Sequence, residues 1–221
     1  MRKTFYHGSE HIIRSPRFGV GNAYNDFGLG FYCAENRAQA AEWAVSRDRN
    51  GFVSAYTIEL DGLRVINLCS SGYTLLNWIS VLFNFREFGV ASSASYPARD
   101  YIMKNYAVDI QGCDCMIGYR ADNSCFALTQ DFLSGKISYQ ALRKAVAGSS
   151  ANRQFVLKSN RAFDRISFTG HEAALFRDHY PVKASRELKA MRVTPSETGK
   201  HDLYITQLVE EDIKPYDPRL R

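Results

Sequence analysis

The stretch "TFYHGSEHIIRSP" places His7, Gly8 and Ser9 behind two aromatics at the start of the chain. Further on, "GLGFYC" presents Tyr32 after a pair of glycines, Trp43 follows eleven residues later, and "NRQFVLKS" carries Gln154 ahead of an apolar run. These are side chains for hydrogen bonding and ring stacking, and Gln154 can hold a hydroxyl but cannot ionise. Each also has an ordinary role: a strand-end histidine, core aromatics, a glycine turn, a polar residue on an exposed strand face. Only their arrangement in space separates the two kinds of role.

The elements that must position them follow from the pattern. Residues 3 to 7 read as a strand, 14 to 30 as a long loop rich in Gly and Asn, and "GFYC" as a short strand. "ENRAQAAEWAVSRDR" has helical spacing and good helix formers, ended by Gly51. The alternation from Phe52 to Leu60 resumes in "LRVINL" after Asp61-Gly62, which predicts a β-hairpin. Two helices, around "YTLLNWISVLFNF" and "ARDYIMKNYA", are separated by Gly89 to Pro97, and "CDCMIGYR" returns to a strand. Two more helices, the second capped at "SY", precede the strands "RQFVLKS" and "DRISFTG", joined by a short connection. Beyond His171 the chain turns polar, which predicts a peripheral helix and a tail.

A chain of 221 residues with 45% hydrophobic and 13% aromatic residues is that of one folded domain. The balance of 28 Lys and Arg against 23 Asp and Glu is only mildly basic, with no clustered stripe of the kind that tracks a nucleic-acid backbone. Cys33, Cys69, Cys113, Cys115 and Cys125 are an odd set without zinc spacing, read as reduced thiols, and no metal is expected. "MRKTFYHGSE" lacks the apolar core of a signal peptide. The most apolar run is interrupted by asparagines and falls short of the roughly 20 residues that cross a bilayer. A cytoplasmic protein without membrane partners is expected.

In order and spacing, "YHGS", "GLGFYCAENRAQAAEWA" and "NRQFVLKS" resemble the three signature motifs of ADP-ribosyltransferases of the His-Tyr-Glu type, the group of diphtheria toxin and the poly(ADP-ribose) polymerases. The resemblance spans residues 4 to 46 and 152 to 168. It implies an α+β fold with a split antiparallel β core of two facing sheets and helical insertions at 70 to 107 and 122 to 147. A catalytic domain would cover 1–170, and 171–221 would be a C-terminal peripheral helix and tail of the same unit.

The resemblance also implies NAD as substrate, with the loop from Arg14 to Asn25 as a lid. His7 would bond the adenine-side ribose, the Gly8 backbone would pair with the nicotinamide carboxamide, and Ser9 would be a further ribose contact. Tyr32 and Trp43 would flank the nicotinamide, while Ala40 replaces a serine that helps hold the carboxamide in the polymerases. Gln154 stands where the family has its glutamate, which favours transfer of one ADP-ribose over polymer synthesis. On that view Gln154→Glu should raise NAD hydrolysis. An RNA 2′-phosphotransferase shares the fold but needs basic residues on a phosphate, and none lies in the Gly-Leu-Gly-Phe-Tyr motif.

"NDFGLGFY", "QAAEWA" and "DCMIGYRADN" also resemble a group of small bacterial proteins read as toxins paired with an antitoxin. That makes Asp114, Tyr119 and Asp122 rim candidates, with Asp122 also placed to cap a helix and Asp26 to touch a ribose or shape its loop. The expected function is mono-ADP-ribosylation of a macromolecular acceptor, protein ahead of nucleic acid, by a bacterial or phage toxin or effector. The alternative is a degenerate NAD or ADP-ribose binding module acting through a protein partner.

Overall fold

The computed structural model describes residues 1–88, 95–148, 152–191 and 202–221. Two sheets form its centre. Strands β1 (Arg2–Ser9), β3 (Gly51–Glu59) and β7 (Ile166–Ala174) make an antiparallel sheet with β3 in the middle. Strands β2 (Phe31–Cys33), β6 (Arg153–Leu157), β5 (Cys115–Tyr119) and β4 (Val65–Asn67) make a mixed sheet in that order, its last pair parallel.

The sheets face each other because alternate residues of each are apolar. Phe5 of β1 stacks on Phe155 of β6 with ring centroids 4.0 Å apart, within a core shared by Tyr56, Ile58, Phe31 and Leu157. At one end they are stitched by backbone bonds between Tyr6 and Ala34, 2.9 and 2.7 Å long. The other face of the mixed sheet offers Ile66, Met116 and Val156 to a helical lobe. That lobe contains α2 (Leu75–Leu82), α3 (Ser95–Tyr106), α4 (Asn123–Leu133), α5 (Tyr139–Ala147) and α8 (Ile205–Glu210). Helix α2, "LLNWISVL", is mostly apolar and wholly buried, and its two polar side chains, Asn77 and Ser80, both donate to the Tyr106 carbonyl. Thus the protein is α+β with two facing sheets and several helices, and the expected antiparallel core is corrected at one pair, since β4 and β5 run parallel.

Helix α1 (Arg37–Ala44) starts at Asn36, whose side chain accepts from the Ala38 N–H, and packs across β1 and β3. It ends at Ala44, well before Gly51, because the chain turns at Ser46–Arg49 to enter β3. Short α6 (Asn160–Phe163) joins β6 to β7, and α7 (Phe176–Met191) packs on α1 and α4.

Three further expectations change. The β-hairpin across Asp61-Gly62 is not formed: β3 already has β1 and β7 on its two edges, so β4 crosses to the other sheet and pairs with β5. Strand β7 runs to Ala174, so a division at 170/171 falls inside a strand. The tail is not peripheral, since Leu203, Ile205, Leu208, Ile213 and Leu220 are buried in the helical lobe; α7 does lie at the surface, where Arg186 bonds Glu42 at 3.0 Å and Asp122 at 3.1 Å. Of the Gly89–Pro97 separation, 89–94 lies outside the described residues and α3 has begun by Ser95; part of the predicted tail, 192–201, also lies outside them. Among the described residues no helix is long and apolar enough to cross a membrane.

Candidate functional site

A cavity of about 770 Å³ opens where β1, β2, α1, β6 and α7 meet the loop before β2. His7, Gly8, Tyr32, Trp43 and Gln154 all line it, drawn from segments as far apart as 147 residues in sequence; Ser9 does not. The loop between β1 and β2 contributes Ser15, Pro16, Arg17, Val20, Gly21 and Asn25, so the segment expected as a lid forms one wall.

Strand β1 aims His7 inward, and its Nδ1 lies 2.7 Å from the Tyr32 carbonyl while its ring stacks on Phe31. A carbonyl only accepts, so Nδ1 carries the proton and Nε2 is left as an acceptor. Burial holds the imidazole pKa below its ordinary value. Gly8 is required for a reason that its motif does not announce. A Cβ there would lie 1.8 Å from the Ala40 carbonyl oxygen and 2.7 Å from the Ala44 nitrogen, so the backbone of α1 rests directly on β1.

Tyr32 fixes the loop before its own strand. Its hydroxyl donates to the Gly28 carbonyl at 2.7 Å and accepts from the Phe27 N–H at 3.0 Å. Gly28 takes φ +71°, and a Cβ there would strike the Phe85 ring at 2.6 Å. Burial raises the Tyr32 phenol, and both bonds of its hydroxyl are made within the loop. Trp43 projects from α1 with the Arg120 guanidinium 4.9 Å from its ring centroid. Its Nε1 is buried without a partner among the described residues, as is one terminal nitrogen of Arg120.

Gln154 is 3% exposed, so it is not a solvent-facing strand residue. Its Nε2 donates to Asp26 Oδ2 at 2.9 Å and to the Tyr119 carbonyl at 3.2 Å. Asp26, 6% exposed, also accepts from the Ala121 N–H at 2.8 Å and from Arg86 at 2.9 Å. Burial pushes its carboxyl above the ordinary range, against the pull of Ala121, Gln154, Arg86 and Arg120.

Four cationic side chains, Arg17, Arg86, Arg120 and Lys183, line the cavity with three carboxylates, Asp26, Asp122 and Glu187. Asp26 is tied to Arg86 and Asp122 to Arg186, while Arg17 makes no ion pair among the described residues. The set suits a ligand with an anionic middle, a flat ring and hydroxyls to donate. Arg86, Arg120, Lys183 and Glu187 carried no signal in sequence, because each lies outside the three motifs and reads locally as a solvated charge. Asp122 caps α4 by accepting from the Cys125 N–H and also lines the cavity. Asp114 lies off it, accepting from the Arg64 N–H at 2.8 Å and from Ser159 at 2.6 Å, and so does Tyr119, whose carbonyl accepts from Gln154. Ser9 spends its hydroxyl on the His11 carbonyl, 2.7 Å away. Among the described residues no group of His, Cys, Asp and Glu could hold a metal ion, and all five cysteines are free thiols.

Residues 3–168 match the family described as protein of unknown function (DUF3990), and the chain belongs to it. No curated protein and no solved structure matches the chain.

Proposed function

We propose that this DUF3990 member is an NAD-dependent mono-ADP-ribosyltransferase with an ADP-ribosyltransferase-like fold, a bacterial or phage toxin or effector acting in the cytoplasm. The observation that carries the reading is convergence: His7, Gly8, Tyr32, Trp43 and Gln154, singled out from three separated motifs, line one cavity. The cations beside them would meet the diphosphate, which the three motifs alone do not provide for.

In this reading Tyr32 and Trp43 flank the nicotinamide, His7 Nε2 accepts from a ribose hydroxyl, and Gln154 Oε1 accepts from the 2′-hydroxyl of the other ribose. The bond from the ribose C1′ to the pyridinium nitrogen breaks with its electron pair going to nitrogen. Nicotinamide leaves neutral, and positive charge moves onto the sugar. An acceptor nucleophile then bonds C1′ and gives up its proton. A protein side chain is the preferred acceptor, and an antitoxin would cover the cavity mouth. Without an ionised group at 154 to activate a sugar hydroxyl, polymer growth is not expected.

Calorimetry with NAD tests the reading. Tyr32→Ala and Trp43→Ala should each weaken binding by about 1–3 kcal/mol, the usual loss of an aromatic stack; unchanged affinity in both places the ligand elsewhere. Labelled NAD offered to separated protein and nucleic-acid fractions identifies the acceptor. One observation favours the second reading, a binding module: Arg120 already covers one face of Trp43. NAD binding without nicotinamide release in any acceptor fraction would select it.

A further inference from the structure

The amide of Gln154 has only one orientation open to it. With Nε2 toward Asp26 Oδ2 and the Tyr119 carbonyl, both amide protons are used. Turning the amide over would press Oε1 against those same two acceptors. Toward the cavity, then, Gln154 presents an acceptor oxygen and nothing else. A glutamate at 154 would set one carboxylate against another at the 2.9 Å that now separates Nε2 from Oδ2. Asp26 and Tyr119 thus account for the amide at 154: the carboxylate of the site stands on the loop before β2 instead of on β6.

We infer that Asp26 is a positioning residue for the transfer, its carboxylate acting on the ribose through the Gln154 amide. The inference rests on the reading of the cavity as an NAD site. Asp26 fixes which end of the amide meets the ligand, and a carboxylate accepting from Nε2 polarises the group, so that Oε1 carries more negative charge. That charge counts most in the transition state, when the electron pair of the C1′–N bond has gone to nicotinamide and the sugar is positive. With water as acceptor the balance closes as ADP-ribose, neutral nicotinamide and a proton released to solvent. Arg86 on Oδ1 and the Ala121 N–H on Oδ2 hold the carboxylate in place. They and Arg120 face it from the segment after α2 and from the junction of β5 and α4, Gln154 from β6 and the Tyr32 phenol from β2.

The test uses the full chain with melting, NAD calorimetry and nicotinamide release read on each variant. Asp26→Asn should lower kcat about tenfold or more while Kd and KM stay within about threefold, because the lost term belongs to the transition state. Asp26→Glu, which keeps the charge, should recover part of that loss. In the wild type kcat should fall in acid as the carboxyl takes up a proton, and Asp26→Asn should lack that limb. Gln154→Glu should lower release about tenfold or more, the reverse of what a lone added carboxylate would do. Wild-type kcat in Asp26→Asn, or faster release in Gln154→Glu, overturns the inference. If Asp26→Asn does not fold, Gln154→Glu decides alone. A wild type that binds no NAD overturns both the reading and the inference, and is told apart because it fails before any substitution.

Discussion

Two groups wall the cavity differently: His7, Gly8 and Tyr32 are held by backbone atoms, whereas Asp26, Arg86 and Gln154 are held largely by one another. The first wall gets its geometry from close packing of main chain: α1 on β1 at Gly8, the Tyr32 carbonyl under His7, the Tyr32 hydroxyl across Phe27 and Gly28. The second is a chain of side-chain bonds from Arg86 through Asp26 to Gln154. A wall made of backbone resists any change of volume but tolerates a change of charge nearby. A wall made of linked charges does the opposite, since removing one member strands the others.

Substitution at the point of closest backbone approach should have the largest effect. Gly8→Ala sets a Cβ 1.8 Å from a helix carbonyl that cannot swing aside, so α1 must lift from β1. The loss should be about 3 kcal/mol, the top of the range for overpacking, measured by urea denaturation. A melting curve like the wild type's would show that α1 yields easily and that the first wall is not rigid. Asp26→Ala comes next, because it leaves Arg86, one proton of the Gln154 amide and the Ala121 N–H without their acceptor. Breaking a pair of this kind costs about 3 kcal/mol when fully buried, and Arg86 is partly open to water, so about 2 kcal/mol is expected. Asp26→Ala with wild-type stability would mean that the second wall is not linked as described.

The two walls also differ in how far they can be read without coordinates. His7, Gly8, Tyr32 and Trp43 fall within one stretch whose strand and helix are locally encoded, and the helix is capped at its own Asn36. Local patterning likewise marks β5, β6 and the cap of α5 at Ser138. The partners of a strand are another matter. Alternation shows that residues 65–67 are extended, but the hairpin it suggests is prevented by β7, which arrives a hundred residues later to take the free edge of β3. Arg86, Arg120 and Lys183 are illegible for the same reason: each becomes part of the site only through a long-range contact. Lys183 and Glu187 sit one turn apart on α7, a spacing that reads as an ordinary solvated helix pair. Gln154 was legible as a position and not as an environment, because its bond to Asp26 spans 128 residues.

A smaller effect is expected from acid. Burial holds the His7 imidazole below the ordinary histidine value of 6.5, so the folded protein takes up that proton less readily than the unfolded chain. Stability from this source is fully present above that value and is lost as pH falls through it toward the lower folded pKa. The charged ring would also turn Nε2 from acceptor into donor, so NAD affinity should fall over the same window if the ribose contact is made there. His7→Asn should flatten that part of both profiles. Parallel curves for wild type and His7→Asn would show that the acid response comes from another group.

The smallest effect marks where the first wall ends. Ser9 completes the aromatic-His-Gly-Ser motif, and the resemblance that made His7 and Gly8 candidates makes Ser9 one as well. Its hydroxyl is instead 2.7 Å from the His11 carbonyl, it pairs with Phe52 at the end of β1, and it does not line the cavity. A side chain spent on a turn two residues away is worth little, because its acceptor has water as a ready substitute. Ser9→Ala should therefore move stability by no more than about 0.5 kcal/mol and leave NAD affinity within error by calorimetry. A clear drop in affinity with unchanged melting would mean that Ser9 turns from the His11 carbonyl to the ligand on binding. The wall would then extend to the end of β1, and the bond within the turn would be a resting contact broken by the substrate.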